Sequence, residues 1–560
     1  MKRREFIHQS AVGLGTAVGF LPLPLRAGVP GDSAAGKSAR AGEVLYNGIQ
    51  LPTPWPPRLE EVPKDPVTPP YLLSPPAVIP IDLGRQLFVD DFLIAETTLK
   101  RTYHRAEYYP DNPIMKPDKP WEQGNGQPPC AMVFSDGVWY DPRDHLFKIW
   151  YMGGYVRSTC YAMSKDGIHW EKPALDVKAG TNIIHTGHRD SNTVWLDLEE
   201  KDPERRYKMF RSTVGQGKIQ GKVPWCLSIH FSPDGIHWSE PPLFSGPCGD
   251  RTTVFWNPFR KVWVFSLRHG WNGPRRRRYW ETRDIVNGSQ WTTITEPTAW
   301  IGSDDLDPQR EDMKINPELY NLDCIAYESL ILGLFTIWRG QPQNREKPNE
   351  VCVGFSRDGW SWFRPDRRAF CPVSEQPGDW NYSNIQSAGG CCLVVGEKLY
   401  FYVSGRGGTG KTRRDGQINA TSLALLRRDG FASMDADDVE GTLTTRPVRF
   451  GGKYLFVNLD AGAGELSAEI LDEREQVIAP FSRSNCLPVR GDKTLLAVNW
   501  KGTDDLSAVS GKTVKFRFYL RKGRLYAFWV SPDRSGASHG YVAAGGPGFT
   551  DPTDTVGSTT

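Results

Sequence analysis

Ser164-Lys165-Asp166-Gly167-Ile168-His169-Trp170 returns as Ser232-Pro233-Asp234-Gly235-Ile236-His237-Trp238 and again as Ser356-Arg357-Asp358-Gly359-Trp360-Ser361-Trp362. Degenerate copies stand at Thr282 to Trp291, around Asp284, and at Arg427 to Phe431, around Asp429 and Gly430. The aspartates at 166, 234, 284, 358 and 429 are spaced by 68, 50, 74 and 71 residues, the length of a four-stranded antiparallel unit with its loops. Asp-Gly supplies the positive φ that a tight hairpin turn demands. The tryptophan beyond it is a large apolar anchor, expected to pack into the next unit.

Two runs of β-branched and aromatic residues precede each turn. They are Ala131 to Tyr140 with Leu146 to Tyr151, Thr193 to Leu198 with Tyr207 to Arg211, Thr252 to Trp256 with Val262 to Leu267, Cys324 to Tyr327 with Leu330 to Trp338, and Cys391 to Val395 with Lys398 to Ser404. Nothing here sustains helical periodicity. The reading is an all-β chain whose body, residues 85–440, is a five-bladed β-propeller. Leu87 to Ile94 reads as a strand that joins the last blade and removes a free sheet edge. Shorter strands at Tyr454 to Asn458, Glu465 to Leu471, Leu495 to Val498, Thr513 to Leu520 and Leu525 to Trp529 predict a β-sandwich over 441–532. Residues 31–84, rich in Pro, Gly and Ala, read as linker and strap, and 533–560 as a flexible tail.

At the start, Lys2, Arg3 and Arg4 precede an apolar stretch from Ala11 to Leu25 that is short for a bilayer span and broken by Gly13, Gly15, Gly19, Pro22 and Pro24. This is the layout of a twin-arginine-type secretory signal over residues 1–30, and it predicts a periplasmic or extracellular protein with no membrane span after signal removal. Lys and Arg number 68 against 65 Asp and Glu, a net charge of +3, which offers no global field for a polyanion and argues against nucleic acid. The 20 Trp and 20 Tyr serve equally as fillers between sheets and as platforms for sugar rings. The ten cysteines show no zinc spacing, and those at 160, 226, 352 and 392 fall in expected strands as small apolar residues. Neither a cofactor nor a metal is expected, and the oligomeric state is left open.

A five-bladed propeller with Ser-x-Asp-Gly-x-x-Trp hairpins and a following β-sandwich resembles glycoside hydrolase families 32 and 43. Asn112-Pro113, with the first blade through Trp150-Tyr151, is also similar to the family 130 mannoside phosphorylases. The resemblance implies three carboxylates at the mouth of a central funnel, on the innermost strands of the first blades. The W-x-N-D-P-N-G signature of family 32 is absent; Trp139-Tyr140-Asp141-Pro142 lies in a hairpin turn at the far end of a strand.

The acids are therefore sought by position. Glycosidic cleavage needs one carboxyl to protonate the leaving oxygen and another to attack the anomeric carbon or activate water. Asp190 and Asp250 stand in equivalent register before Thr-Val-(Trp/Phe) strands, beside Arg189 and Arg251, either of which would hold a neighbouring aspartate ionised. Asp323 precedes the inner strand of the fourth unit, Glu328 follows it, and the first unit offers Glu122 beside Trp121. Trp121, Trp271 and Trp338 are candidate sugar platforms. In the run Arg275 to Arg278, strand alternation sends two guanidinium groups toward the funnel, with Arg276 and Arg278 taken as the pair that meets substrate. Ser303 to Pro308 is an acidic loop read as a solvated turn, Asp90 and Asp91 as structural, and His185 and His188 as surface histidines. The expected activity is hydrolysis of an oligo- or polysaccharide, with glycoside phosphorolysis and non-catalytic glycan binding as alternatives.

Overall fold

The computed structural model describes residues 42–124, 126–214, 225–268 and 273–557. The signal stretch and Trp271 lie outside them. The chain is nearly all strand; among the described residues the only α-helices are the single turns Pro70–Leu73 and Ile285–Gly288. No described helix is long and apolar enough to cross a membrane.

Each full repeat turn is a local hydrogen-bonded hub. Ser164 Oγ accepts the Gly167 N–H at 2.9 Å, and Asp166 Oδ1 accepts those of Ile168 and His169 at 2.9 and 2.8 Å. Ser232 with Asp234 and Ser356 with Asp358 repeat the pattern. The glycine in each has φ near 80°: 76° at Gly167, 80° at Gly235 and 78° at Gly359. The hubs face the preceding sheet, not the next one. Trp150 Nε1 donates to Gly235 O at 2.7 Å, Tyr402 Oη donates to Gly167 O at 2.7 Å, and Trp170 meets Tyr402 edge-on. The turn carbonyl is a ready acceptor for a ring donor coming from behind, and this fixes the direction of packing.

The strands before and around these turns form antiparallel sheets. Cys130–Asp141, Leu146–Gly153, Ser158–Ser164 and Ile183–His185 make the first. Asn192–Leu196, Tyr207–Val214, Trp225–Ser232 and Leu243–Phe244 make the second. Thr253–Asn257, Val262–Arg268, Arg277–Thr282 and Thr298–Ile301 make the third. In the fourth, Glu318–Glu328 pairs with Leu330–Trp338, which pairs with Asn349–Ser356. In the fifth, Asn384–Ser387 and Leu393–Val395 share the partner Lys398–Arg406, which pairs with Asn419–Arg427. Leading strands touch in a circuit: Cys130–Asp141 against Asn192–Leu196, then Thr253–Asn257, then Glu318–Glu328, while Asn384–Ser387 touches both the fourth sheet and Cys130–Asp141. One apolar core runs through these sheets.

The circuit is not closed by Leu87 to Ile94. That segment splits into Gln86–Leu87, paired with Gly523–Ser531, and Ile94–Thr97, paired with Gly441–Thr445. Closure falls to Glu107–Tyr108, antiparallel to Asn419–Arg427, and to Asn112, whose side chain imitates a strand neighbour. Asn112 Nδ2 donates to Leu423 O at 2.7 Å while its Oδ1 accepts the Leu423 N–H at 2.8 Å. Cys130–Ala131 then runs parallel to Asn419–Ala420, so the first and fifth sheets are continuous.

The region expected as a sandwich is one hydrogen-bonded sheet of nine strands that includes Gln86–Leu87, Ile94–Thr97 and Lys100–Tyr103 from upstream. Tyr454 to Asn458 and Glu465 to Leu471 are one strand, Tyr454–Leu471. Its first half pairs with Gly523–Ser531 and its second with Lys515–Arg521, which curls the sheet around a second core. Residues 533 onward are packed rather than loose. Tyr541–Val542 adds to Glu318–Glu328, Tyr140 N donates to Ala544 O, and Val394 N donates to Gly545 O. A Cβ at Gly540 would strike Glu328, and one at Gly546 would strike Val394 O. These glycines mark close approach rather than freedom.

A buried ionic network ties this segment to both cores. Arg85 Nη1 donates to Asp429 Oδ2 at 2.9 Å and to Thr494 O at 2.7 Å, with its guanidinium 4.1 Å from the Trp529 ring centre. Arg428 reaches Glu328 at 3.1 Å and Asp554 at 3.0 Å, and Ser538 Oγ donates to Glu328 at 2.7 Å.

Candidate active site

The leading strands all begin at one end of the circuit, and their starting residues converge there. In the first sheet the register against Leu146–Gly153 breaks between Met132 and Gly137. Phe134 takes φ 51° within this bulge, and Phe134, Ser135 and Asp136 leave the ladder. Ser135 Oγ accepts from Asn321 Nδ2 at 2.9 Å and from Arg251 Nη2 at 3.1 Å, while the same Arg251 nitrogen donates to Gln386 Oε1 at 2.7 Å. The first, third, fourth and fifth sheets are thus bridged across the centre.

Asp136 is the first sheet's acid, and sequence reasoning missed it. It lies inside what reads as an unbroken strand, and only the Ser-Asp-Gly at 135–137 hinted at a break. Arg189 grips it through both Nη atoms, and both side chains are fully buried. Burial pushes the Asp136 carboxyl up and Arg189 opposes that rise. Arg189 Nε donates to Asp190 O at 2.9 Å, so the pair holds the next aspartate's backbone in place.

Asp190 and Asp250 are brought together. Ser191 Oγ donates to Asp250 O at 3.0 Å and to Thr252 O at 2.8 Å, and it accepts the Thr252 N–H at 3.1 Å. This clamp lays the start of the second sheet against the start of the third. Burial, and then the charge of Asp250, raise the Asp190 carboxyl to about 6, against the pull of Arg251 and Arg189. Asp190 Oδ1 has no hydrogen-bond partner. Asp250 is paired with Arg268. Two adjacent carboxyls are therefore differentiated, one easily protonated and one with a fixed counter-charge.

Asp323 lies within Glu318–Glu328 rather than before it, because that strand starts earlier than its apolar run suggests. Its Oδ2 accepts from Asn321 at 2.9 Å and Ser387 at 2.5 Å, its Oδ1 has no partner, and burial raises it to about 6. Trp338 sits opposite Glu318 at the same end of the fourth sheet.

Other expected residues are engaged elsewhere. Glu122 is fully buried; its Oε2 accepts the Asp118 and Lys119 N–H groups at 2.8 and 3.0 Å and Lys172 at 2.9 Å, and its Oε1 accepts the Tyr151 hydroxyl at 2.7 Å. Trp121 Nε1 donates to Asn182 in the same corner. Glu328 belongs to the buried network at the far end of its strand. The arginine alternation is the opposite of that expected. Arg277 is fully buried and donates to the carbonyls of Arg251 and Tyr320 and, at 3.1 Å, to Asn321 Oδ1. Arg275 lies 4.4 Å from the Tyr320 ring centre. Arg278 instead donates to Pro297 O at 2.6 Å and Arg276 lies beside Gly302, on the opposite side of the strand from Arg275 and Arg277.

Burial pushes the Tyr320 phenol up, but Lys347, Arg275 and Arg251 bring it below the ordinary tyrosine range. The acidic loop is not a solvated turn throughout: Asp307 is buried against Arg364, and Asp304 meets Arg367. Asp90 is a structural ion pair with Arg357. All ten cysteines are buried free thiols.

One group of described residues has metal-compatible spacing: His185, His230 and Glu240. It lies toward the outer strands of the first and second sheets. Both His230 nitrogens are already hydrogen-bonded, to Ser239 O and Ser228 Oγ, and His185 is pushed down to about 3 by burial and then Arg211. A cation there would displace a hydrogen bond and face an arginine, so the group reads as a buried polar contact.

No protein-family model matches the chain, and no curated protein matches it. Solved structures do. An N-acetylgalactosamine deacetylase from F. plautii, in complex with blood group B trisaccharide, superposes with TM-score 0.38 at 14% identity, over 60% of this chain and 96% of its own. A structure described under the GH130 family of mannoside phosphorylases, containing glycoside hydrolases that target β-1,2 mannosidic linkages in Candida mannan, gives 0.36 at 12%, over 62% and 99%. A thermostable family-43 glycoside hydrolase gives 0.35 at 12%, over 54% and 93%. The structural neighbours include glycoside hydrolases of family 43 and family 130 types, at low TM-score and identity.

Proposed function

We propose that the protein is an exported glycoside hydrolase, built as a five-bladed propeller with its active site at the start of the leading strands. The observation that carries this is the Asp190–Asp250 pair, whose backbones Ser191 clamps together, with the Asp190 carboxyl raised by burial and by Asp250 while Asp250 is paired with Arg268. Asp190, its carboxyl raised to about 6 and so protonated in mildly acidic solution, gives its proton to the glycosidic oxygen as the C1–O bond breaks. Asp250, beside the Arg268 guanidinium, takes a proton from water as the hydroxyl adds to the anomeric carbon and then passes that proton to solvent, or attacks the carbon itself to form a glycosyl ester that water hydrolyses with Asp190 as base. The proton lost by Asp190 returns from solvent, and the products are a free reducing sugar and an alcohol. Asp136 and Ser191 are positioning residues. A glycan-binding propeller without catalysis has no use for such a carboxyl pair, which favours the hydrolase reading over it.

The test is a hydrolysis panel of arabinans, fructans, mannans and sulfated algal glycans, run on the wild type and on Asp190→Asn and Asp250→Asn. Sugar release should fall about 10³-fold or more in each variant, the scale expected for loss of a catalytic carboxyl, with the fold retained. Its alkaline limb should report an acid near the value of about 6 held by Asp190. Release that persists in both folded variants removes the assignment.

A further inference from the structure

The centre of the site holds more positive charge than its own carboxylates answer. Arg406 is 2% exposed, yet it donates to no described side chain or carbonyl and meets no described carboxylate at ion-pair distance. Its guanidinium lies 5.4 Å from the Tyr155 ring and 6.0 Å from the Phe134 ring. Arg251 lies 3.8 Å from the same Phe134 ring centre, fully buried, with Nε and Nη1 unpartnered and only the neutral Ser135 and Gln386 as acceptors. Beyond it, Arg275 and Lys347 close on Tyr320 at 4.4 and 5.7 Å. Of the acids nearby, Asp136 is committed to Arg189, Asp250 to Arg268 and Glu346 to both Arg413 and Arg414, which leaves Asp190 and Asp323, both raised by burial, as the charges that favour the Arg251 cation.

Stripping water from a guanidinium is unfavourable unless something negative replaces it. Here two such groups, 3.8 and 6.0 Å from one aromatic ring centre, stand beside the proposed carboxyl pair. Planar guanidinium forks suit oxyanions in particular. We infer that the site takes a glycan bearing an anionic substituent, a carboxylate or a sulfate ester, held between Arg406 and Arg251 with Arg275 and Lys347 at the rim. This rests on the carbohydrate reading above and adds to it the charge of the substrate.

The first arm of the test needs no glycan. Inorganic sulfate and free glucuronate are titrated into the full chain against sodium chloride at matched ionic strength. Melting temperature should rise by several degrees for the wild type, by less for Arg406→Lys and not at all for Arg406→Met. Because Arg406 makes no internal hydrogen bond, Arg406→Met should melt no lower than wild type in buffer alone, which separates ligand loss from misfolding. The second arm uses an array of paired acidic and neutral oligosaccharides, where wild type should favour the acidic member at least 10-fold and Arg406→Met should lose that preference. No anion effect beyond ionic strength overturns the inference. Binding or cleavage of neutral members alone overturns it while the hydrolase reading stands. Arg406-dependent sulfate binding with no glycan bound removes the hydrolase reading and the substituent together. Turnover that requires inorganic phosphate makes the anion a co-substrate and also overturns it.

Discussion

Two buried ionic clusters lie at opposite ends of the strand Glu318–Glu328, and they are built differently. At the far end, Arg85, Arg428, Glu328, Asp429 and Asp554 answer one another, with Tyr327, Ser538 and Asn458 taking up remaining positions. At the near end, Asp190 and Asp323 each keep an oxygen without a partner, as Arg251 and Arg406 keep nitrogens. In the first cluster every carboxylate oxygen has a partner, although Arg85 Nε and Nη2 and Arg428 Nε have none, and it locks two cores together. In the second, carboxylate oxygens stay open as well as guanidinium nitrogens. Both are buried and charged; what separates them is whether the hydrogen-bonding capacity of their carboxylates is spent.

That contrast can be broken experimentally. Arg85→Met should cost about 3–5 kcal/mol of stability by stranding Glu328 and Asp429, read as a drop in urea midpoint. Asp136→Asn, which strands Arg189 inside the near cluster, should cost about 2–4 kcal/mol and also lower activity by loosening Asp190. Asp190→Asn should act the other way. The folded protein holds Asp190 at about 6 against an ordinary value of 3.8, so it binds more protons than the unfolded chain across that window. Stability is therefore lost as pH rises through it, and the amide should gain about 1–3 kcal/mol at pH 8 and nothing at pH 3. The exposed pair Arg490–Glu465 sets the baseline: Glu465→Gln should change stability by less than about 0.5 kcal/mol.

The near cluster was legible where its logic is local and repeated. The Ser-x-Asp-Gly hubs close within five residues, and Asp190 and Asp250 share a register before similar strands, so the sequence carries both. Asp136 was hidden because its exit from the ladder depends on Ser135 meeting Arg251 and Asn321, contacts made across the centre. The arginine run alternates as a strand should, but alternation does not say which pair faces inward, and Arg277 with Arg275 holds that side rather than Arg276 with Arg278. The residues after 533 were taken for loose chain on their glycine content, although Gly540 and Gly546 are there because neighbouring backbone leaves no room for a side chain.

The closure of the circuit also bears on how the chain reaches this state. Asn112 finds Leu423 at a separation of 311 residues, and Arg85 finds Asp429 at 344. No early half of the molecule can finish its own edges, since each terminal partner waits on chain made far later. Loop-closure entropy must be met before these contacts return anything, which makes for slow refolding from denaturant through open, sticky intermediates. A signal that hands over protein only after it has folded would suit such a chain, because the long search would be over before export began.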